Sequence, residues 1–239
     1  MLGLGNSISQ AGSISFTPTD ISGLQLWLQN GVGITSSGSP AAIDAWADSS
    51  PRALNTTAST GAKPYLVDGG GEWEGDSDAD ALQVSTATTV NQFHIFFVVA
   101  ADEHSTNNLL AKDSSTNFLR IGQGGSDTLH RMKANSSTID WNATRPILTD
   151  GTKQLLEYEA NDSDRVNNAH LRINGDLEVT TNHDTDTNAF QFSFVGASTA
   201  AGTSSFDGKI YEVLVYNKAL SSAEAADVRN YLNGKLNIY

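Results

Sequence analysis

The stretch Phe206-Asp207-Gly208-Lys209-Ile210-Tyr211-Glu212-Val213-Leu214-Val215-Tyr216-Asn217-Lys218-Ala219-Leu220-Ser221, with the residues that follow it to Tyr239, decides the reading of this chain. Ile210 to Tyr216 is apolar and aromatic except for Glu212, which predicts a strand buried on both faces or nearly so, entered from a turn at Asp207-Gly208. A carboxylate inside such a strand must be paired or hydrogen-bonded, so Glu212 is expected to tie the strand to a loop amide or an arginine. Ser221-Ser222-Ala223-Glu224 has the form of a capping box, and Leu220 stands just outside as its hydrophobic staple. Val228, Tyr231 and Leu232 recur at helical spacing, so one face of a short helix can lie on a sheet, with Gly234 as its left-handed stop.

Upstream, the chain reads as short strands separated by polar turns. Leu24, Leu26 and Leu28 alternate with polar or amphipathic neighbours, and Ile43 to Trp46 runs into a turn that Asp48 or Ser49 can seed. Residues 31–40 and 52–64 read as loops, and Gly69-Gly70-Gly71 opens an irregular stretch that ends at Leu82. Strands are predicted at 93–100, 109–111, 118–121, 130–134, 138–141, 154–159, 169–173 and 177–179. The last two are joined by Asn174-Gly175, the clearest hairpin signal in the chain. Phe190, Phe192 and Phe194 alternate with Gln191 and Ser193, giving one inward aromatic face. A dozen short strands and one helix, with no composition break, predict an all-β antiparallel sandwich over residues 17–239, preceded by an arm over 1–16. The arm's Leu2, Leu4, Ile8 and Ile14, set singly among Gly and Ser, could hold it on its own domain or on a neighbouring subunit.

The order Leu24-x-Leu26-Trp27-Leu28, Trp46-x-Asp48-x-Ser50, Lys63-Pro64-Tyr65, an acidic turn before Leu82, and the closing stretch from Phe206 resembles the laminin-G-like branch of the concanavalin A-like lectin and glucanase jelly rolls. That resemblance implies a two-sheet antiparallel jelly-roll sandwich, in a family whose members bind glycans, mediate adhesion, hydrolyse glycosides or sit on tailed-phage virions. The opening Met1-Leu2-Gly3-Leu4-Gly5, without the basic and apolar regions of a signal peptide, is similar to structural proteins of tailed phages. The implied role is a non-enzymatic virion surface protein, a capsid decoration or tail subunit that partners the capsid or tail shell, with possible homo-oligomerisation and adhesion to cell-surface glycans. Its place would then be the virion, assembled in the host cytoplasm. The alternatives are a stand-alone, extracellular carbohydrate-binding module and, third, a glycoside hydrolase.

The formal charge of −13, from 27 acidic and 14 basic residues, opposes contact with nucleic acid phosphates or anionic lipid. No run approaches membrane-spanning length, and the absence of cysteine excludes thiolate chemistry. Glu157-Tyr158-Glu159-Ala160-Asn161-Asp162 approximates the paired-carboxylate motif of the glucanase relatives, with Glu in place of the middle Asp and Asp in place of the final Glu. Glu157 and Glu159 share one strand face, and the simpler reading is a solvated edge strand, so no catalytic residue is assigned. His94, His104, His130, His170 and His183 lack metal-ligand spacing and read best as surface or edge-strand residues. Asp76, Asp78 and Asp80 alternate in an acidic loop, as oxygen ligands for Ca2+ often do, although a solvated acidic turn is the simpler reading. Trp73 beside Asp76, and Trp141 between Asp140 and Asn142, combine an aromatic face with polar groups as a glycan or partner contact would. Burial in the core is the competing reading for both indoles.

Overall fold

The structure is a computed structural model that describes residues 16–59, 63–74, 80–103, 106–135, 137–149, 151–161, 166–183, 189–202 and 204–239. Among these residues the first strands are β1 (Leu24–Leu28), β2 (Ile34–Ser37), β3 (Ala42–Trp46), β4 (Thr56–Ala58), β5 (Tyr65–Val67) and β6 (Gly70–Glu74). Two long strands follow, β7 (Leu82–Val90) and β8 (Phe93–Ala101), and then β9 (Asn107–Ala111), β10 (Asn117–Ile121), β11 (Leu129–Ala134) and β12 (Ser137–Asn142). The chain ends with β13 (Gln154–Ala160), β14 (Ala169–Ile173), β15 (Asp176–Thr181), β16 (Phe190–Val195), β17 (Asp207–Tyr216) and the helix α1 (Ser222–Leu236).

The expected class, all-β and antiparallel with one C-terminal helix, is what the chain forms, but the hydrogen bonding does not divide it into two separate sheets. One ladder runs β15–β14–β13–β8–β17. At its edge β17 gives its first residues to β6 and its last to β1. From β6 the ladder turns through β5, β3, β4, β7, β16, β9, β10 and β11 to β12. There β12 comes back alongside β15 without bonding to it. The result is a nearly closed, barrel-like wall. Its turning point is β6, where the sequence predicts an irregular stretch. A side chain at Gly70 would sit 2.4 Å from the Ile210 carbonyl oxygen, so only glycine lets the two backbones approach closely enough to pair.

The central strand β8 is buried throughout and β17 from Ile210 onward, and period-two alternation sends their side chains into two cores. Ile95, Phe97, Val99, Val213 and Val215 point into the wall, where they meet Trp46, Trp73, Trp141, Phe190 and Phe192. Phe96, Val98, Leu214 and Tyr216 face outward and are covered by Val228, Leu232 and Leu236 of α1. Phe16 packs edge-on to Tyr231 of the same layer, with ring centroids 6.4 Å apart. The predicted anchoring residues Leu2, Leu4, Ile8 and Ile14 lie outside the described residues.

Helix α1 starts where the capping box predicts. Ser221 Oγ accepts from the Glu224 N–H at 3.3 Å, and the Ser221 N–H donates to Glu224 Oε2 at 2.8 Å. Its end is different. Gly234 stays helical, and the left-handed cap is Asn237 at φ 50°. The extra turn is held by tertiary partners that a local signal does not contain: Leu236 is buried, and Lys235 reaches Glu212 at 2.8 Å. Glu212 is bound as a buried carboxylate requires, also accepting from the Trp27 indole at 2.8 Å and, as expected of a loop amide, from the Asn30 N–H at 3.4 Å, with Lys235 as its cation. Burial pushes its carboxyl upward, against the opposing pull of Lys235. A Ser221→Ala substitution is expected to cost about 1 kcal/mol in urea denaturation, because the Glu224 N–H loses its side-chain acceptor while the buried face of α1 is untouched.

The turn after β3 also forms as predicted. Asp48 accepts from the Ser50 and Leu54 amides and, across to β1, from the Trp27 amide, each at 2.7–2.8 Å. Asn174 and Gly175, both at positive φ, make the two-residue hairpin between β14 and β15.

Candidate functional site

The outward face of β8, β13 and β14 changes character along its length. Toward one end it is apolar and lies under α1; toward the other it carries two polar rows. In the first row His94, Glu159 and His170 are cross-strand partners, and in the second Phe96, Glu157 and Arg172 are. These side chains alternate with Ile95, Tyr158 and Leu171, which point into the core, so the same periodicity that builds the wall gathers the polar groups outside it. The first turns of α1 roof the rows with Ser222, Ala225 and Arg229. Between roof and floor lies a cleft of about 220 Å³.

Glu157 is at its centre and wholly buried. It accepts from His94 Nε2 at 2.8 Å and from Arg229 Nη1 at 3.0 Å to each oxygen, and Arg172 Nη1 stands 3.6 Å away. Burial by itself would raise its carboxyl; the His94 hydrogen bond and the Arg229 guanidinium outweigh that and hold it below the usual carboxylate range. His94 is fixed on both sides. Its ring stacks on Phe96 at 4.7 Å, and Nδ1 accepts the Leu220 N–H at 3.3 Å. An Nδ1 that accepts carries no proton, so the imidazole is the neutral tautomer that donates from Nε2 to Glu157. Glu159 pairs with Arg172 at 3.2 Å, and His170 Nδ1 lies 3.0 Å from Thr180 Oγ1. Burial, chiefly, pushes the His170 imidazole down, so it too is neutral at pH 7.

Two carboxylates and two guanidiniums therefore cancel within the cleft. Several polar atoms remain unspent among the described residues: His170 Nε2, Ser222 Oγ, Glu159 Oε1 and the Nη2 groups of Arg172 and Arg229. The arrangement can offer donors and acceptors to a neutral, hydroxyl-rich molecule. Glu157, held ionised and fully bonded, and His94, with both ring nitrogens engaged, are not free for acid–base work.

The sequence-predicted sites fall elsewhere. Trp73 and Trp141 are fully buried. Trp73 packs so closely on Gly196, itself at φ +76°, that a side chain there would come within 2.2 Å of the indole nitrogen, and Trp141 lies against Tyr158 at 5.5 Å. Neither has a face free for a sugar, because each sits on the inward side of its strand. Asp140 is engaged by Arg131 through two bonds of 2.6 and 2.7 Å, and Asn142 is an exposed strand end. Asp76 and Asp78 lie outside the described residues. Asp80 is buried, with Oδ2 accepting the Glu74 amide at 3.1 Å. No group of three His, Asp or Glu residues is placed to hold a metal among the described residues.

The histidine expectation is corrected as well. His94, His130 and His183 are buried, and His104 is outside the described residues. His130 Nδ1 lies 2.7 Å from the Tyr158 hydroxyl, and burial drives its imidazole down to about 3. Glu157 is not on a solvated edge, because β13 is paired on both sides and α1 covers it. The alternating Glu157-Tyr158-Glu159 and His170-Leu171-Arg172 triplets did mark an outward polar face; what they lacked was any sign that a helix some 60 residues on would roof it.

No family model matches the chain, and no curated protein matches it in sequence. Solved structures do match in fold. Domain 4 of AbnA, a GH43 extracellular arabinanase from Geobacillus stearothermophilus, in complex with arabinotriose, superposes with a TM-score of 0.59 at 17% identity, over 86% of this chain and 98% of that one. Trypanosoma rangeli sialidase superposes with a TM-score of 0.56 at 13% identity, over 91% of this chain. It also superposes in complex with sialic acid, with a TM-score of 0.53 at 15% identity. The chain spans about a third, 34%, of the sialidase chains, but nearly the whole of the arabinanase domain. At these identities the likeness is one of fold alone, an all-β architecture.

Proposed function

We propose that this chain is a non-catalytic carbohydrate-binding module and that the cleft between α1 and the β8–β13–β14 face is its sugar site. The observation that carries the proposal is the cleft's chemistry: its four charges neutralise one another, yet it keeps unspent donors and acceptors in a confined space. Sugars are recognised through such planar, multidentate groups as guanidinium, carboxylate and imidazole. The fold shared with an arabinanase domain captured with arabinotriose supports the same reading. The proposed architecture is the jelly roll that the sequence resembles, its two layers joined through β5 and β6 into one continuous ladder.

A glycan array probed with the wild-type protein and with His170→Ala and Ser222→Trp tests this. Both positions line the cleft without holding the fold together, and a tryptophan at the exposed Ser222 would fill the opening. The expected result is binding to one class of neutral glycan, reduced at least tenfold by either substitution at an unchanged denaturation midpoint. Binding that survives both substitutions would move the site elsewhere.

The placement of this module on a virion surface, partnered with capsid or tail proteins and anchored by residues 1–16, rests on the sequence resemblance. Mass spectrometry of purified particles from a producing host tests that placement directly. Absence of the protein from the particles would favour the stand-alone module.

A further inference from the structure

Resting on the sugar-site reading, we infer that the cleft takes a single neutral sugar at a chain terminus, and that Tyr239 is the aromatic face against which that sugar lies. The floor sets the size. Two polar rows separated by two residues along a strand, across three neighbouring strands, span about 7 by 10 Å, the footprint of one ring. The volume of about 220 Å³ is below the ~300–1,000 Å³ of clefts that enclose drug-sized ligands.

The charge pattern sets the class. Arg172 and Arg229 are each committed to a glutamate, so no cation is left over for a uronate or sialate carboxylate. The formal charge of −13 opposes an anionic ligand further.

Tyr239 supplies what the floor lacks. Among the residues lining the cleft there is no exposed aromatic ring, but Tyr239 is 54% exposed and lies within electrostatic reach of Arg229 and Glu157. A side chain built at Gly175 would lie 3.4 Å from the Tyr239 hydroxyl and 3.5 Å from Arg229 Cδ, so the tyrosine hydroxyl and the guanidinium stem converge on the β14–β15 turn. The ring's backbone is fixed there: Asn233 Oδ1 accepts the Ile238 and Tyr239 amides at 3.0 and 2.9 Å. An exposed tyrosine held on a clamped segment beside a polar cleft is the amphipathic contact that a sugar's C–H face requires.

Titration calorimetry and saturation-transfer NMR on the full chain, with arabinose, galactose, glucose, mannose, glucuronic acid and N-acetylneuraminic acid as probes, test the inference. They are followed by an oligosaccharide of the preferred sugar with its non-reducing end free or methyl-capped. One or more neutral sugars should bind, the two acids should not, and capping should abolish oligosaccharide binding. Tyr239→Ala should weaken binding about tenfold and Tyr239→Phe should not, at unchanged thermal stability. Equal binding of capped and free chains, preference for the acids, or wild-type affinity in Tyr239→Ala would each overturn this inference while leaving a sugar site in place. No binding of any probe, together with a blank glycan array, would remove the sugar-site reading itself.

Discussion

Replacing Glu157 with glutamine is expected to destabilise the protein by about 3–5 kcal/mol at pH 7, although the two side chains have nearly the same shape. The carboxylate is the shared acceptor for His94 and Arg229 and lies within 3.6 Å of Arg172. A glutamine keeps one acceptor and turns an amide toward groups that are themselves donors. The half-buried guanidinium of Arg229 then loses its partner, and α1 loses an ionic tie to the sheet, the other among the described residues being Lys235 to Glu212. The effect has a pH signature. The folded-state value of Glu157 is lowered from the ordinary 4.5, so its stabilisation is fully present above the unfolded-state value and is lost as pH falls through the lower folded one. Denaturant titrations of wild type and variant should therefore be well separated at pH 7 and draw together as the pH falls below the ordinary carboxylate range. A constant separation across that range would mean that packing, and not the charge, makes the difference.

Truncating Trp73 to alanine is expected to cost about 3–5 kcal/mol of stability and to leave sugar affinity at wild-type strength wherever the variant is folded. The sequence offers Trp73 as a sugar platform, and a platform would give the reverse: lost binding at unchanged stability. The structure decides between them through Gly196 and Gly71, which both lie against the indole. The space that two glycines leave is filled by one tryptophan, so its removal opens a cavity in the inner core. Gly196→Ala should unfold the protein nearly as well, by driving a methyl group into the ring from a backbone position already at positive φ.

What was legible in the sequence is what local chemistry dictates. The capped start of α1, the Asn174-Gly175 hairpin, the aromatic face of Phe190, Phe192 and Phe194, and the need of Glu212 for partners all follow from residue types a few positions apart. What depended on contacts between distant segments was not. Gly69-Gly70-Gly71 resembles a loop until β17 is laid against it, and α1 runs on past Gly234 because Lys235 and Leu236 find partners on β17 and in the outer core. The site was half visible. Its carboxylates and the neighbouring His170 and Arg172 share a face by period two, but His94 arrives from a strand 63 residues before Glu157 and Arg229 from a helix 72 residues after it. Both indoles chosen as platforms failed for one reason: next to acidic residues a tryptophan looks accessible, whereas strand parity had already turned it inward.

The measurement that bears most directly on the central claim is a crystal structure of the protein with the neutral sugar selected by the array. The expected density lies between Ser222 and Arg229 of α1 and the Glu159, His170 and Arg172 side chains, with the ring of Tyr239 beside it and Glu157 still bound to His94. A sugar found at the loops near Trp73 or Trp141, or an unoccupied cleft at saturating sugar, would contradict it.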